Sequence, residues 1–283
     1  MTSTSIYLLI FFAALLHALW NIIIKSLNNS VVGIAVKVFF QSIIFFPIIF
    51  MVQPPEGITW FYLLCSSILH SLYFILLGSM YNRGDMTLIY PIARGCAPVF
   101  VTLWSLIFLK DSIPLIGILG ILTVSFGLIL LSLENFKTKM NVKIIRISLF
   151  IAFVISIYIF TDGAGVRSAD AAATYIVWNF FLGGWISIGY VFLTNKKELF
   201  ELQLKDLMFI LLATIISFSA YAIIIWSMKY IPIGFVASMR ESSIIFASLI
   251  GYYFLKEKVG YIRFLSGFIF FFRDLFNIYF IKF

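Results

Sequence analysis

The chain has 283 residues, of which 63% are hydrophobic and 11% charged, and its mean hydropathy is +1.09. An ordinary soluble domain is about 25% charged. A chain this poor in polar groups cannot cover a water-facing exterior, so a soluble fold is excluded and the bilayer is the natural solvent. The formal charge of +8 does not imply nucleic acid, because Lys and Arg stand singly or in small groups between apolar runs, with no basic stripe interleaved with stacking aromatics.

Crossing roughly 30 Å of hydrocarbon takes about 20 apolar residues in a helix. Ten runs meet that length: Ser5–Ile24, Val31–Val52, Ile58–Ser79, Thr87–Phe108, Pro114–Leu133, Ile144–Thr161, Ala172–Leu193, Leu207–Met228, Ile233–Leu255 and Ile262–Phe280. They are long and continuously apolar rather than short and alternating, which selects helices over a β-barrel. No basic n-region of a cleaved signal precedes the first run, which reads as a retained helix. Turn and charge signals separate the runs, as in Gln53-Pro54-Pro55-Glu56-Gly57, Asn82-Arg83-Gly84-Asp85 and Lys110-Asp111-Ser112. The stretch 193–206 has room for a short interfacial helix, and nowhere is there room for a soluble domain.

Polar residues inside the runs are the candidates for function. In the first run His17 and Asn21 are four apart with Trp20 beside them, one polar helix face, and Lys25 falls at the interface. His17 titrates near neutrality and is a candidate proton relay; a hydrogen-bonded structural role is the alternative. His70 and Tyr73 make a similar pair in the third run. In the fourth, Tyr90 precedes Arg94 by four residues and shares its face, with Pro91 and Pro98 bracketing that turn. Proline removes a backbone bond, and in membranes such positions often adjoin a cavity. Asp162 follows the sixth run and opens Asp162-Gly163-Ala164-Gly165-Val166-Arg167. Its glycines suggest a bend or close helix approach; pairing with a cation, proton coupling and a capping role are all open for Asp162. Arg240 and Glu241 lie in the ninth run. Cys65 and Cys96 read as core residues, and with two histidines in the chain a structural metal site is not expected. No nucleotide-binding sequence is present, and no cofactor is expected.

The two halves repeat. Phe108-Leu109-Lys110-Asp111 matches Phe254-Leu255-Lys256-Glu257, and Arg94 matches Arg240, both at a spacing of 146 residues; Tyr73 matches Tyr221 and Ser79-Met80 matches Ser227-Met228 at 148. Residues 1–136 form one half and 137–283 the other. Five helices per half is odd, so the second half enters the membrane inverted, an arrangement typical of transporters with a midplane site. A charge near the bilayer centre is costly and normally faces protein or a wet cavity. Arg94 and Arg240, at equivalent places in inverted halves, would therefore meet near the pseudo-two-fold axis and could grip a carboxylate or phosphate. The alternatives are structural charges paired with Glu241, Asp162 or carbonyls, and arginines that snorkel. Loops after odd-numbered runs hold most of the lysines, so the positive-inside rule puts those loops in the cytoplasm and both termini outside.

The stretches His17-Ala18-Leu19-Trp20-Asn21 to Lys25, Tyr90 to Pro98, Asp162 to Arg167 and Met239-Arg240-Glu241-Ser242-Ser243 together resemble an EamA-type member of the drug/metabolite transporter superfamily. The resemblance implies ten helices in two inverted repeats, a central substrate cavity, a small-molecule substrate and no ATPase activity. It also implies cytoplasmic termini, against the loop charges. One departure is Arg273-Asp274, which interrupts the last run where the first half has an uncharged stretch around Gly127. An altered tail, as after a frameshift, and a buried Arg–Asp pair both explain it.

The expected fold is therefore an all-α integral membrane protein of about ten transmembrane helices in two inverted five-helix repeats. The expected function is gradient-driven transport of a small polar metabolite across the cell membrane, with an anion as one candidate substrate and protons as the candidate coupling ion. The candidate cavity residues are His17, Trp20, Asn21, His70, Tyr73, Tyr90, Arg94, Asp162, Tyr221, Arg240 and Glu241. A lipid-carrier flippase or a structural membrane subunit is the rival, and a membrane enzyme a weaker one, because the chain lacks converging catalytic groups. Substrate identity, transport direction and oligomeric state stay open.

Overall fold

A computed structural model describes residues 3–27, 29–81, 86–133 and 142–254. The described residues form helices and connecting turns, with seven segments long and apolar enough to cross a membrane. The helices are α1 (Ser3–Lys25), α2 (Ser30–Phe45), α3 (Ile58–Tyr81), α4 (Met86–Trp104), α5 (Leu115–Leu133), α6 (Val142–Ser168), α7 (Ala172–Leu182), α8 (Trp185–Thr194), α9 (Lys196–Phe200), α10 (Leu204–Met228), α11 (Ile233–Arg240) and α12 (Ser243–Phe254). The expected tenth run, with Arg273 and Asp274, lies outside the described residues, as do Glu257 and its neighbours.

Local chemistry sets the ends. Asn29 caps α2, its Oδ1 accepting from the amides of Val31 (3.1 Å) and Val32 (3.2 Å). Gln203 and Asp206 form a capping box at the start of α10. Lys110 adopts a left-handed conformation (φ 54°) and ends the π-helical turn Ser105–Leu109 that continues α4. The short α9 occupies the stretch expected to hold an interfacial helix.

Four expected boundaries change. The second run stops as an α-helix at Phe45, just before Pro47, and continues as the 3₁₀ turn Ile48–Met51. The seventh breaks at Gly183–Gly184 into α7 and α8. There the α2 backbone passes so close that a Cβ on Gly184 would collide with the Val38 carbonyl. Ser42 repairs the break, accepting from the Gly184 amide (3.0 Å) and donating to the Phe180 carbonyl (3.2 Å). The ninth breaks at Glu241–Ser242, between α11 and α12. The sixth does not end at Thr161: α6 runs on to Ser168, so Asp162 sits within a helix rather than beyond its end. Its glycines are positions of close approach, since a Cβ on Gly163 would meet Ile233 and one on Gly165 would meet the Tyr175 ring.

The most extensive packing is α1 on α10, α4 on α6, and α3 on α6; α1 also packs on α12 and α11, and α2 on α7 and α8. The interior holds Ile10, Leu63, Ile155, Tyr175, Phe180 and Phe235, all essentially inaccessible. Leu8, Phe12, Phe61, Leu64, Phe126 and Phe209 point outward, as side chains do when the surrounding solvent is lipid. Successive spans alternate in direction. One face of the bundle therefore carries the end of α1 and the start of α2, and the other the α4–α5, α6–α7 and α10–α11 connections.

Candidate functional site

A cavity of about 110 Å³ lies between α1, α2, α3, α4, α6, α7, α10 and α11. One water needs roughly 10–15 Å³ on this scale, so there is room for a small metabolite. It reaches the bundle face where α1 ends, with the exposed Lys25 at its mouth. The opposite face carries a network of polar contacts between connections. There Arg167 forks onto Asp111 (Nη1–Oδ1 2.6 Å, Nη2–Oδ2 3.4 Å) and donates to the carbonyls of Met228 (2.7 Å) and Ile231 (3.0 Å). The Ile233 amide donates to Asp111 (3.1 Å), and Ser168 and Thr59 hydroxyls meet at 3.0 Å. Asp111 and Arg167 read in sequence as loop charges; here they join the connections on that face.

Of the residues singled out in sequence, His17, Trp20, Asn21, His70, Tyr73, Tyr90, Arg94, Tyr221 and Arg240 line the cavity. Arg94 and Arg240 are each 4% exposed and share one carboxylate, Glu241, itself 1% exposed. Arg94 Nε donates to Glu241 Oε2 at 2.7 Å, and Arg240 Nη2 stands 3.5 Å from Oε1. The helix break at Glu241–Ser242 places this carboxylate between them. Arg94 also donates to the Tyr90 hydroxyl (2.9 Å) and the Ser243 hydroxyl (3.4 Å). Arg94 is thus both a cavity residue and one half of a structural ion pair. Arg240 is less engaged: its buried Nε has no hydrogen-bond partner among the described residues.

His17 extends the donor surplus. Its Nδ1 accepts from Trp20 Nε1 at 3.2 Å, so the neutral ring carries its proton on Nε2. That nitrogen lies 3.5 Å from Arg94 Nη1. Two donors face one another with no acceptor between them. Asn21 is occupied locally, donating to the His17 carbonyl (2.7 Å).

Asp162 does not line the cavity. It is fully buried behind the lining, where Oδ1 accepts from Ser66 (2.5 Å), Tyr175 (2.9 Å) and Asn179 (3.0 Å), and Oδ2 from Tyr221 (2.6 Å). His70 lies between cavity and carboxylate. Its Nδ1 faces the Ser66 carbonyl (3.2 Å) and so holds the proton of the neutral ring, leaving Nε2 toward Asp162 Oδ2 at 3.9 Å.

The residue that sequence reading missed is Lys37 on α2, 3% exposed and part of the lining. Its ammonium donates to Ser217 (2.8 Å) and lies over the Trp20 ring, 4.3 Å from the centroid. A lysine inside an apolar run is the same signal that marked the arginines. It stands seven residues into its run, close enough to the end that its long side chain could also reach an interface. Ser66, Tyr158, Asn179 and Ser217 in the lining were also missed, because uncharged polar groups are common in buried helices.

Residues 4–133 match the EamA-like transporter family, which belongs to the drug/metabolite transporter superfamily. No curated protein matches the chain. The family match bears out the resemblance read from the sequence. The match covers a little under half of the chain, and with the seven apolar spans it indicates a multi-pass membrane protein similar to transporters of the drug/metabolite type; members of that superfamily are transporters rather than enzymes.

Proposed function

We propose that this EamA-type chain is a gradient-driven carrier that moves a small anionic metabolite across the cell membrane by alternating access. The observation that carries this reading is the surplus of donors in the cavity among the described residues: Arg240 Nε without a partner there and His17 Nε2 against Arg94. Such groups are costly to bury unless something accepts from them, and a carboxylate or phosphate does so with charge assistance. A neutral solute could accept only without charge assistance, and a cation would add like charge to the site.

Two five-helix repeats, 1–136 and 137–283 and inverted in the membrane, are the architecture proposed. The packing supports it. With five spans per half, α1 on α10 and α3 on α6 are equivalent pairs, as are α4 on α6 and α1 on α11 and α12. The cavity is reached from one face, and the Asp111–Arg167 fork on the opposite face would hold it closed there, as expected for one end state of a rocking carrier. The loop lysines make the accessible face cytoplasmic. Protons are the proposed coupling ion. A proton taken up on His70 Nε2 would convert its 3.9 Å approach to Asp162 into an ion pair.

Uptake and counterflow in proteoliposomes, against a panel of small carboxylates, phosphates, amines and neutral solutes, test the reading. An anion should be carried, and Arg240→Gln should lower its transport at least 10-fold with normal insertion. Arg94→Gln should lower it as much and also reduce yield. Wild-type rates in both variants, or transport confined to cations, would overturn it.

A further inference from the structure

Lys37 gives the cavity a second cationic pole, separate from the arginine pair. Its ammonium has three donors, and among the described residues it makes one hydrogen bond, to Ser217 Oγ, with no carboxylate within ion-pair distance. The faces of Trp20 (4.3 Å) and Phe74 (5.9 Å) supply cation–π attraction, which leaves N–H groups free toward the cavity it lines. A buried lysine in a membrane segment is expensive to maintain and marks a functional path by default.

The two poles are held apart by a fixed spacer. Trp20 carries Lys37 on its face, its indole N–H bonds His17, and His17 meets Arg94. The indole and imidazole stand edge to face with centroids 5.2 Å apart. Charge points the same way. Two guanidiniums and the ammoniums of Lys37 and, at the mouth, Lys25 against the single carboxylate Glu241 leave the lining and its bridge at +3. Asp162, the next acid, lies behind the lining with both oxygens occupied. Among the described residues no acidic group lines the cavity to receive a substrate ammonium.

We propose that the cavity selects solutes bearing two separated anionic groups, one held by Arg240, Arg94 and His17 and the other by Lys37. This rests on the anion-carrier reading above and narrows it. The end-group chemistry, carboxylate or phosphate, is common to both poles, since each offers unpaired N–H donors.

The test uses the full chain in nanodiscs, with ligand binding read by thermal stabilisation and titration calorimetry. The probes are propionate, β-alanine and succinate, which keep one carboxylate and vary the far end from methyl to ammonium to carboxylate. Glutarate and glycerol 3-phosphate vary the spacing and the end group. The best dianion should bind at least 10-fold more tightly than propionate, and β-alanine no better than propionate. Lys37→Gln should reduce dianion affinity to the propionate level while changing propionate by less than twofold. Lys37→Arg should keep the preference, which separates loss of charge from loss of fold. Arg240→Gln should weaken every anion alike. Equal binding of propionate and the dianions, or a dianion preference that survives Lys37→Gln, overturns the two-pole proposal and leaves the anion carrier standing, provided binding needs Arg240. Stabilisation by β-alanine or a neutral solute alone, or by none of the probes, overturns the two-pole proposal; if Arg240→Gln is also without effect on transport, the anion reading falls with it.

Discussion

At the residue scale, Glu241 decides what the arginines can do. It accepts from Arg94 at 2.7 Å and stands 3.5 Å from Arg240, so two like charges sit in one buried place without forcing each other apart. Removing one partner of a buried pair leaves an uncompensated charge and costs about 3–5 kcal/mol. Glu241→Gln should therefore unfold at markedly lower temperature in detergent than Arg240→Gln, because Arg240 has fewer bonds to lose; similar melting temperatures for the two would refute this division of labour. Asp162 shows how far a residue's role depends on its neighbours. The sequence left capping, cation pairing and proton coupling open for it. In the fold it is a fully buried acceptor on α6 for four side chains, one from α3, two from α7 and one from α10.

At the element scale, the broken helices matter most. The α11–α12 break puts Arg240 in the last turn of a short helix, where a cation also meets the favourable end of the helix dipole. Nothing in Ser238–Ser243 is a glycine or proline, so no local signal announces the break. The Gly183–Gly184 break is different, since both the glycines and the close approach of α2 belong to it. On α6 the glycines act without any break. A Cβ on Gly165 would collide with Tyr175, whose hydroxyl bonds Asp162. Gly165→Ala should thus push Tyr175 off the carboxylate and cost about 1–3 kcal/mol, the usual range for overpacking. A thermal-unfolding series that also includes Gly189→Ala, at a position with open space around it, checks this: only the Gly165 variant should lose stability.

At the scale of the whole molecule, the Asp111–Arg167 fork ties the α4–α5 turn to the end of α6 and the α10–α11 turn. If it holds one end of the cavity shut, Asp111→Asn or Arg167→Gln should raise several-fold the reactivity of a cysteine placed at Ser168 toward a membrane-impermeant maleimide added from that face, with Cys65 and Cys96 replaced by serine. Unchanged reactivity would mean that the fork only staples loops. The amino-acid sequence by itself determined the solvent, the helical class, most of the spans and the likeness of residues 4–133 to the EamA-like family, because hydropathy over about 20 residues and a few local motifs are properties of the chain alone. It also marked Arg94, Arg240, His17 and His70, since a polar group in a greasy run is conspicuous wherever it ends up. Only the tertiary structure decided which of these groups already have partners. It put Glu241 between the arginines, withdrew Asp162 behind the lining and brought Lys37 into the cavity from a run where it could equally have reached the surface. The reason is that a buried charge is defined by what faces it, and those facing groups come from helices more than a hundred residues away in the chain.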